Sequence, residues 1–341
     1  MSVARRLSAA LHERSALQLL ATFAQRGART SSLALQRHLL RRRFIEKRIH
    51  DYRLLLDADD PGIGRQLLSR AGREPEQKFI VESTLRPGMV AFDLGANVGY
   101  YTVMMAKLVG ASGRVHAVEP FPQSFRLLAE NVRRNGLGNV SIENIAIGLE
   151  DGKAQLQIAR KSNWHSLHVP RPDPSISWQA KYARTIVGSI PVRTCSLRSY
   201  LANREPMDLL RMDLEGYEVE ILTSLIDLPR AHIRRMKILF ETHPEFYDSA
   251  NGMRGTLEEL CRVHGYRFEQ LISDFQHGSP RDADVEPGRE VFARRGYTSA
   301  HIVRNFANRA IYTNVRTEDA IELVCTSECV HAALMTPDDR A

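Results

Sequence analysis

Val90-Ala91-Phe92-Asp93-Leu94-Gly95-Ala96-Asn97-Val98-Gly99-Tyr100-Tyr101-Thr102 is followed, 20 residues beyond Gly99, by Glu119 at the close of Arg114-Val115-His116-Ala117-Val118. The order reads as a buried strand, a glycine turn, a helix and a second strand ending in a carboxylate. That is the unit with which a doubly wound α/β sheet builds a nucleoside pocket. The glycine spacing selects the nucleoside. A dinucleotide site requires G-x-G-x-x-G, because the pyrophosphate must rest on the helix N-terminus. Here Ala96 and Asn97 stand where the second glycine would fall, and only Gly95 and Gly99 remain. An acid ahead of the turn, Asp93, suits a ligand carrying an ammonium and a sulfonium better than one carrying phosphates. The expected cofactor is S-adenosylmethionine.

The net charge of +7 over 341 residues suggests nucleic acid until it is located. Residues 1–50 hold eleven Arg or Lys against two acids, so they carry +9 and the remainder −2. The folded body is therefore not basic, which argues against a nucleic-acid partner and confines the charge to an N-terminal arm. Four cysteines, Cys195, Cys261, Cys325 and Cys329, are too few and scattered for a disulfide framework. A reducing, cytoplasmic compartment follows as the expectation. Cys325, Cys329 and His331 fit no common zinc spacing, and Cys325 is expected in a strand over 321–325. No apolar run approaches the ~20 residues of a membrane span.

Residues 1–74 are expected to form a basic helical arm, with Leu35, Leu39, Leu40, Ile45 and Ile49 along one helical side. Such an arm would pack on the main domain or on a second copy of the chain, or lie on an anionic membrane as a peripheral contact. The domain proper is placed at 75–335. Its strands are expected over 90–94, 115–118, 140–144, 208–213, 237–241 and 266–272, with helices between them and a last, antiparallel strand over 320–325. The fold class is thus a doubly wound, mostly parallel, seven-stranded sheet. Residues 151–195 and 274–318 interrupt the rhythm and are expected to shape access for a second substrate.

On this frame Asp93 is expected to orient the glycine turn and draw the ligand ammonium, while Asn97 bonds within the turn or to the ligand carboxylate. Gly95 and Gly99 permit close approach. Glu119, ending the second strand, is expected to accept both ribose hydroxyls. Asn144 and Ala146, after the third strand, fall where the adenine edge should lie.

These residues resemble the FkbM-type S-adenosylmethionine-dependent methyltransferases. The resemblance lies in Phe92–Thr102, in Val118-Glu119-Pro120, in Asn131-Val132-Arg133-Arg134-Asn135, in Asn144-Ile145-Ala146-Ile147-Gly148, and in Leu210-Arg211-Met212-Asp213-Leu214-Glu215-Gly216-Tyr217-Glu218. It implies a class I, Rossmann-like methyltransferase fold and methyl transfer to oxygen, usually a hydroxyl on a sugar, polyketide or other secondary metabolite. A glycolipid is a further acceptor of that kind.

Methyl transfer from a sulfonium is an in-line displacement, so a protein must hold an acceptor lone pair about 3 Å from the methyl carbon and remove the acceptor's proton. Asp213, ending the fourth strand, is the first candidate for that base. His243, in Phe240-Glu241-Thr242-His243-Pro244, is its rival because imidazole titrates near neutrality. Glu241 faces the same edge. Glu215 is read either as an acceptor contact or as a helix cap. Asp213, Glu215, Glu241 and His243 could also collect a divalent cation, a reading the sequence permits but does not favour. Trp164, His165 and Ser166, in the insertion, are acceptor-side candidates. Two other readings stay open, an N- or C-methyltransferase of the same fold and a non-catalytic pocket protein that binds membrane or nucleic acid through its arm.

Overall fold

The computed structural model describes residues 43–168, 183–247, 252–273, 288–303, 309–326 and 329–338. It begins with a correction. Residues 44–57 are a β-hairpin rather than a helix, with β1 (Phe44–Ile49) and β2 (Tyr52–Asp57) paired antiparallel from Phe44 opposite Asp57 to Ile49 opposite Tyr52. Ile45 and Ile49 are four apart and satisfy both helical and strand periods. Tyr52, Leu54 and Leu56, buried at every second position, settle the matter. Leu35, Leu39 and Leu40 lie outside the described residues.

Two helices follow, α1 (Ile63–Ser69) and α2 (Pro75–Thr84), and then the alternating unit begins: β3 (Val90–Leu94), α3 (Tyr100–Val109), β4 (Arg114–Val118), α4 (Pro122–Arg134) and β5 (Val140–Glu143). The insertion forms a separate three-stranded sheet of β6 (Ala146–Gly148), β7 (Gly152–Ala159) and β8 (Ile186–Ser196), with β8 in the middle. After α5 (Leu197–Leu201) come β9 (Leu209–Met212), α6 (Glu218–Ile226), α7 (Arg230–Ile233), β10 (Lys237–Glu241), α8 (Met253–His264) and β11 (Tyr266–Ser273). The chain closes through α9 (Gly288–Arg294), β12 (His301–Ile302), β13 (Ala310–Thr313), α10 (Thr317–Thr326) and β14 (Val330–Pro337).

The main sheet runs β12-β13-β11-β14-β10-β9-β3-β4-β5. Seven of these strands, from β5 across to β11, make the expected mostly parallel sheet, and β14 lies antiparallel between β10 and β11. The strand expected over 320–325 is in fact α10, and the last strand comes later. Ala320, Ile321, Leu323 and Val324 are buried at helical spacing, behind Glu318 and Asp319 in the first turn. Cys325 accordingly sits on a helix. The 274–318 segment is less irregular than expected, since its described part contains α9, β12 and β13.

The central strands are covered on both faces. Phe92, Leu210, Ile238 and Phe240 pack with α6 and α8, while Ala91, Val115, Leu209 and Leu239 pack with α2, α3 and the hairpin. Asn131 of α4 ties the hairpin to the body: its Oδ1 accepts from Leu55 N at 2.6 Å, and its Nδ2 donates to Leu55 O at 3.2 Å and Val98 O at 2.7 Å. One buried amide thus holds both the hairpin and the glycine turn. No helix among the described residues is long and apolar enough to cross a membrane.

Candidate active site

β4 and β5 lie to one side of β3, and β9 and β10 to the other. The carboxyl ends of β3 and β9 therefore flank the switch point where open α/β sheets bind ligands. There the turn after β3 closes tightly. Gly95, at φ 76°, lies so close to β9's exit that a Cβ would stand 2.6 Å from Asp213 O. Gly95 N and Ala96 N both donate to Val118 O, at 3.1 and 3.0 Å. Gly99, at φ 88°, is needed for a different contact, because a Cβ would meet Leu128 Cδ1 at 2.8 Å. It packs the turn on α4 rather than lining the cavity beside it.

That cavity encloses about 820 Å³, counting the part open to solvent. This is within the usual range for a small-ligand site. Its donor side carries Gly95, Ala96, Asn97, Glu119, Pro120, Ala146, Ile147 and Leu156. Glu119 is buried, and its two oxygens each accept one backbone N–H, from Asn97 and Phe121, both at 2.8 Å. Each oxygen keeps a lone pair for a ribose hydroxyl. Burial outweighs those two bonds and pushes the carboxyl up to about 7.

Other candidates sit differently from expectation. Asp93 is wholly buried beneath the pocket wall, accepting from Thr102 Oγ1 at 2.6 Å and Arg211 Nη1 at 3.3 Å. Burial raises its pKa. It meets Arg211, so its charge reaches the cavity through that guanidinium and not by direct contact with a ligand. Asn144 is exposed and donates to Glu119 O at 2.7 Å and Pro120 O at 3.0 Å. It fixes the backbone beside Glu119 instead of reading the base.

The insertion returns over this donor side. Asp60 clasps it, accepting from Ser162 N at 3.1 Å and Ser162 Oγ at 2.6 Å, and Asn97 Nδ2 donates to Ser162 O at 3.0 Å. His165 and Ser166 line the cavity. Trp164 does not, and instead carries Lys161 Nζ 3.5 Å above its ring. The Ser166 hydroxyl lies 3.0 and 2.9 Å from Leu214 O and Glu215 O, fastening the insertion to the loop after β9. Four buried polar atoms on residues of this wall have no partner: Asn97 Oδ1, Asn163 Oδ1, His165 Nε2 and Arg211 Nε. Buried polar groups are normally satisfied, so acceptors and donors left open in one cavity fit a ligand that offers both. S-adenosylmethionine does, through its hydroxyls, ammonium, carboxylate and purine.

The opposite side is built from charges. Asp213 lines the cavity and receives Arg211 Nη2 at 3.1 Å. Burial disfavours its charge, but Arg211, Arg73 and His243 together hold the carboxyl below its usual range. Arg73 arrives from the segment before α2, its backbone N–H and C=O both bonded to Tyr100 Oη, at 3.2 and 3.0 Å, and its side chain paired with Glu74. Arg211 also stacks 4.2 Å above the Tyr101 ring.

Ligand atoms of Asp213, Glu241 and His243 lie within 4.8 Å of one another, as do those of Glu74, Glu241 and His331. The surroundings of His243 disfavour it as the base. Burial opposes its charge, yet Glu218 at 3.1 Å from Nδ1 and Glu215 at 3.6 Å from Nε2 hold it protonated well above the ordinary imidazole range. Glu241 is also pushed up, well above the carboxylate range, by burial and by Asp213 and Glu74. A divalent cation does not fit this set as it stands. Both His243 nitrogens face carboxylates, His331 presents Nδ1 to Glu241 at 3.4 Å and Nε2 to Gln77 at 3.3 Å, and Arg73 and Arg211 already supply the positive charge. Glu215 is in the left-handed region at φ 51°, and the backbone of the loop around it is held by Glu218, which accepts from Leu214 N at 2.7 Å and Gly216 N at 3.0 Å.

Arg73, Glu74 and Gln77 escaped the sequence reading, Arg211 and Glu218 entered it only within the quoted 210–218 stretch, and His331 only beside the two cysteines. Arg211 alone carried a signal, a charge inside an apolar strand.

A family model described as the methyltransferase FkbM domain matches residues 93–268, just over half of the chain. The 31-O-demethyl-FK506 methyltransferase FkbM of Streptomyces tacrolimicus is 26% identical over 201 residues, covering 53% of this chain and 74% of that protein. A protein-L-isoaspartate O-methyltransferase of Caenorhabditis elegans is 33% identical over 89 residues, 26% of this chain and 39% of the relative. The chain thus spans well under half the length of that relative. The solved structure of M. jannaschii TYW2 with AdoMet covers 87% of this chain and 88% of its own at 12% identity, with a TM-score of 0.39. That likeness is too loose to add to the sheet order. Strand order, glycine turn and matched domain agree: the chain belongs to the FkbM family of S-adenosylmethionine-dependent methyltransferases.

Proposed function

We propose that this chain methylates a hydroxyl of a small, polar, hydroxylated acceptor such as a sugar. The observation that carries the reading is Asp213, an ionised carboxylate on the cavity wall with Glu241 close behind it. Bound S-adenosylmethionine would supply the electrophilic methyl group. Glu119 accepts the ribose hydroxyls, and the turn from Gly95 to Asn97 sets how closely the cofactor approaches Asp213. Asp213 accepts a hydrogen bond from the acceptor hydroxyl, points its oxygen lone pair toward the methyl carbon, and takes the proton as the bond forms. Arg73, Arg211 and Asp213 give this side of the cavity charged hydrogen-bonding groups in place of an apolar wall, which suits a polyol. The naming of the Streptomyces relative for a 31-O-demethyl acceptor also supports oxygen as the target.

Transfer of labelled methyl from S-adenosylmethionine to a panel of sugars, glycolipids and hydroxylated metabolites tests this. Asp213→Asn should lower the rate by about 10²–10⁴-fold and leave S-adenosylhomocysteine binding within a few-fold. Labelled products carrying N- or C-methyl groups, or full activity in Asp213→Asn, would refute the reading.

A further inference from the structure

The hydrogen-bonding role of His165, which lines the cavity, can be fixed atom by atom. Its Nδ1 lies 3.1 Å from Ala159 N and accepts that N–H. Burial pushes the imidazole down to about 4, so the ring is neutral at physiological pH. A neutral imidazole that accepts at Nδ1 carries its proton on Nε2. That N–H is buried and has no partner in the protein. The chain gives up a hydrogen bond here that something else must supply.

The surroundings limit what that is. The His165 ring stands edge-on to Phe121, with centroids 4.4 Å apart and planes at 68°. Phe121 is two residues beyond Glu119, whose carboxylate faces the ribose position. Ala146, Ile147 and Leu156 line the same side of the cavity. An apolar stretch of wall with an unpartnered histidine N–H, next to a ribose anchor, suits a flat heteroaromatic ring with an unprotonated nitrogen. Asn97 Oδ1 and Asn163 Oδ1, the other open atoms of the insertion side, are acceptors and cannot serve such a nitrogen.

We infer that His165 Nε2–H donates to a ring nitrogen of the adenine of S-adenosylmethionine, which makes the insertion part of the donor site and His165 a specificity residue for the cofactor. The inference rests on the donor-pocket reading above and moves His165 from the acceptor side, where its sequence position had suggested it.

Calorimetric titration of S-adenosylhomocysteine, its 1-, 3- and 7-deaza analogues and 5′-methylthioadenosine into wild type, His165→Phe and His165→Gln tests it. One deaza analogue should bind wild type about tenfold more weakly than the parent, and that ratio should fall to about one in His165→Phe. His165→Gln, which keeps an N–H donor, should recover part of it. Comparing ligands within each variant separates recognition from folding, and His165→Gln carries the test if the phenylalanine variant does not fold. If every deaza ratio is unchanged in the variants while S-adenosylhomocysteine still binds, the inference is overturned and the donor pocket stands. It is equally overturned if substitution weakens S-adenosylhomocysteine but not 5′-methylthioadenosine, since His165 would then meet the amino-acid end. Failure of wild type to bind S-adenosylhomocysteine would overturn the donor pocket as well.

Discussion

Glu119 accepts two backbone amides, yet burial pushes its carboxyl up to about 7, so a cofactor held by its carboxylate should bind with a pH dependence of definite sign. Ribose hydroxyls donate to the carboxylate, so only the ionised form binds well. Affinity for S-adenosylhomocysteine should be full above pH 7 and fall about tenfold per unit below it. Glu119→Gln should be weaker at pH 8 and nearly flat with pH; an unchanged pH profile in that variant would assign the titration elsewhere. Arg211 offers a second residue-scale test, since it is the partner of both Asp93 and Asp213. Arg211→Met should cost about 3–5 kcal/mol by leaving buried acids unpaired, and adding Asp93→Asn should return part of the loss. Strict additivity in denaturant midpoints would contradict the pairing. Glu119 was legible in the sequence because its role depends on spacing along one βαβ unit. Arg73 and Glu218 were not, because their meaning depends on partners that only the folded sheet brings close.

At the scale of elements, the N-terminal hairpin is the main departure from what periodicity suggested. Ile45 and Ile49 fit two periods, and the charges between them fit a solvated face of either. The decisive alternation lay in β2, inside the stretch expected to be helical. β14 was missed for the opposite reason, since it is buried on both faces and shows no alternation, so α10 ahead of it drew the strand assignment. The hairpin's two anchors should behave differently. Leu54→Ala removes packing and should cost about 2–5 kcal/mol with S-adenosylhomocysteine affinity retained in the folded protein. Asn131→Ala frees both Leu55 and the turn carbonyl of Val98, so it should lower stability by about 1–3 kcal/mol and weaken the cofactor as well. Equal binding by both variants would show that the hairpin and the turn are not coupled.

At the scale of the molecule, the cavity is assembled from parts distant in sequence: Ile63 and Arg73 ahead of the sheet, the β3 and β4 exits, the insertion at 162–167, and the loop after β9. The matched family domain begins at residue 93, so Asp60, Ile63 and Arg73 are contributions it does not contain. The donor half of the site could be read from spacing within that domain. The charged side could not, because it joins residues of α2 and the segment before it to the neighbouring strands β9, β10 and β14, which lie far apart in sequence. A ligand touching all these parts should stabilise the whole fold, by about 2.7 kcal/mol at a concentration 100 times its Kd. The most direct test is calorimetric titration of S-adenosylhomocysteine into the full chain and its Glu119→Ala variant at pH 8. Saturable binding by wild type at one site per chain, weakened about 100-fold or more in the variant, is the expected result. No binding by wild type, or equal binding by both, would contradict the cofactor site at the end of β4.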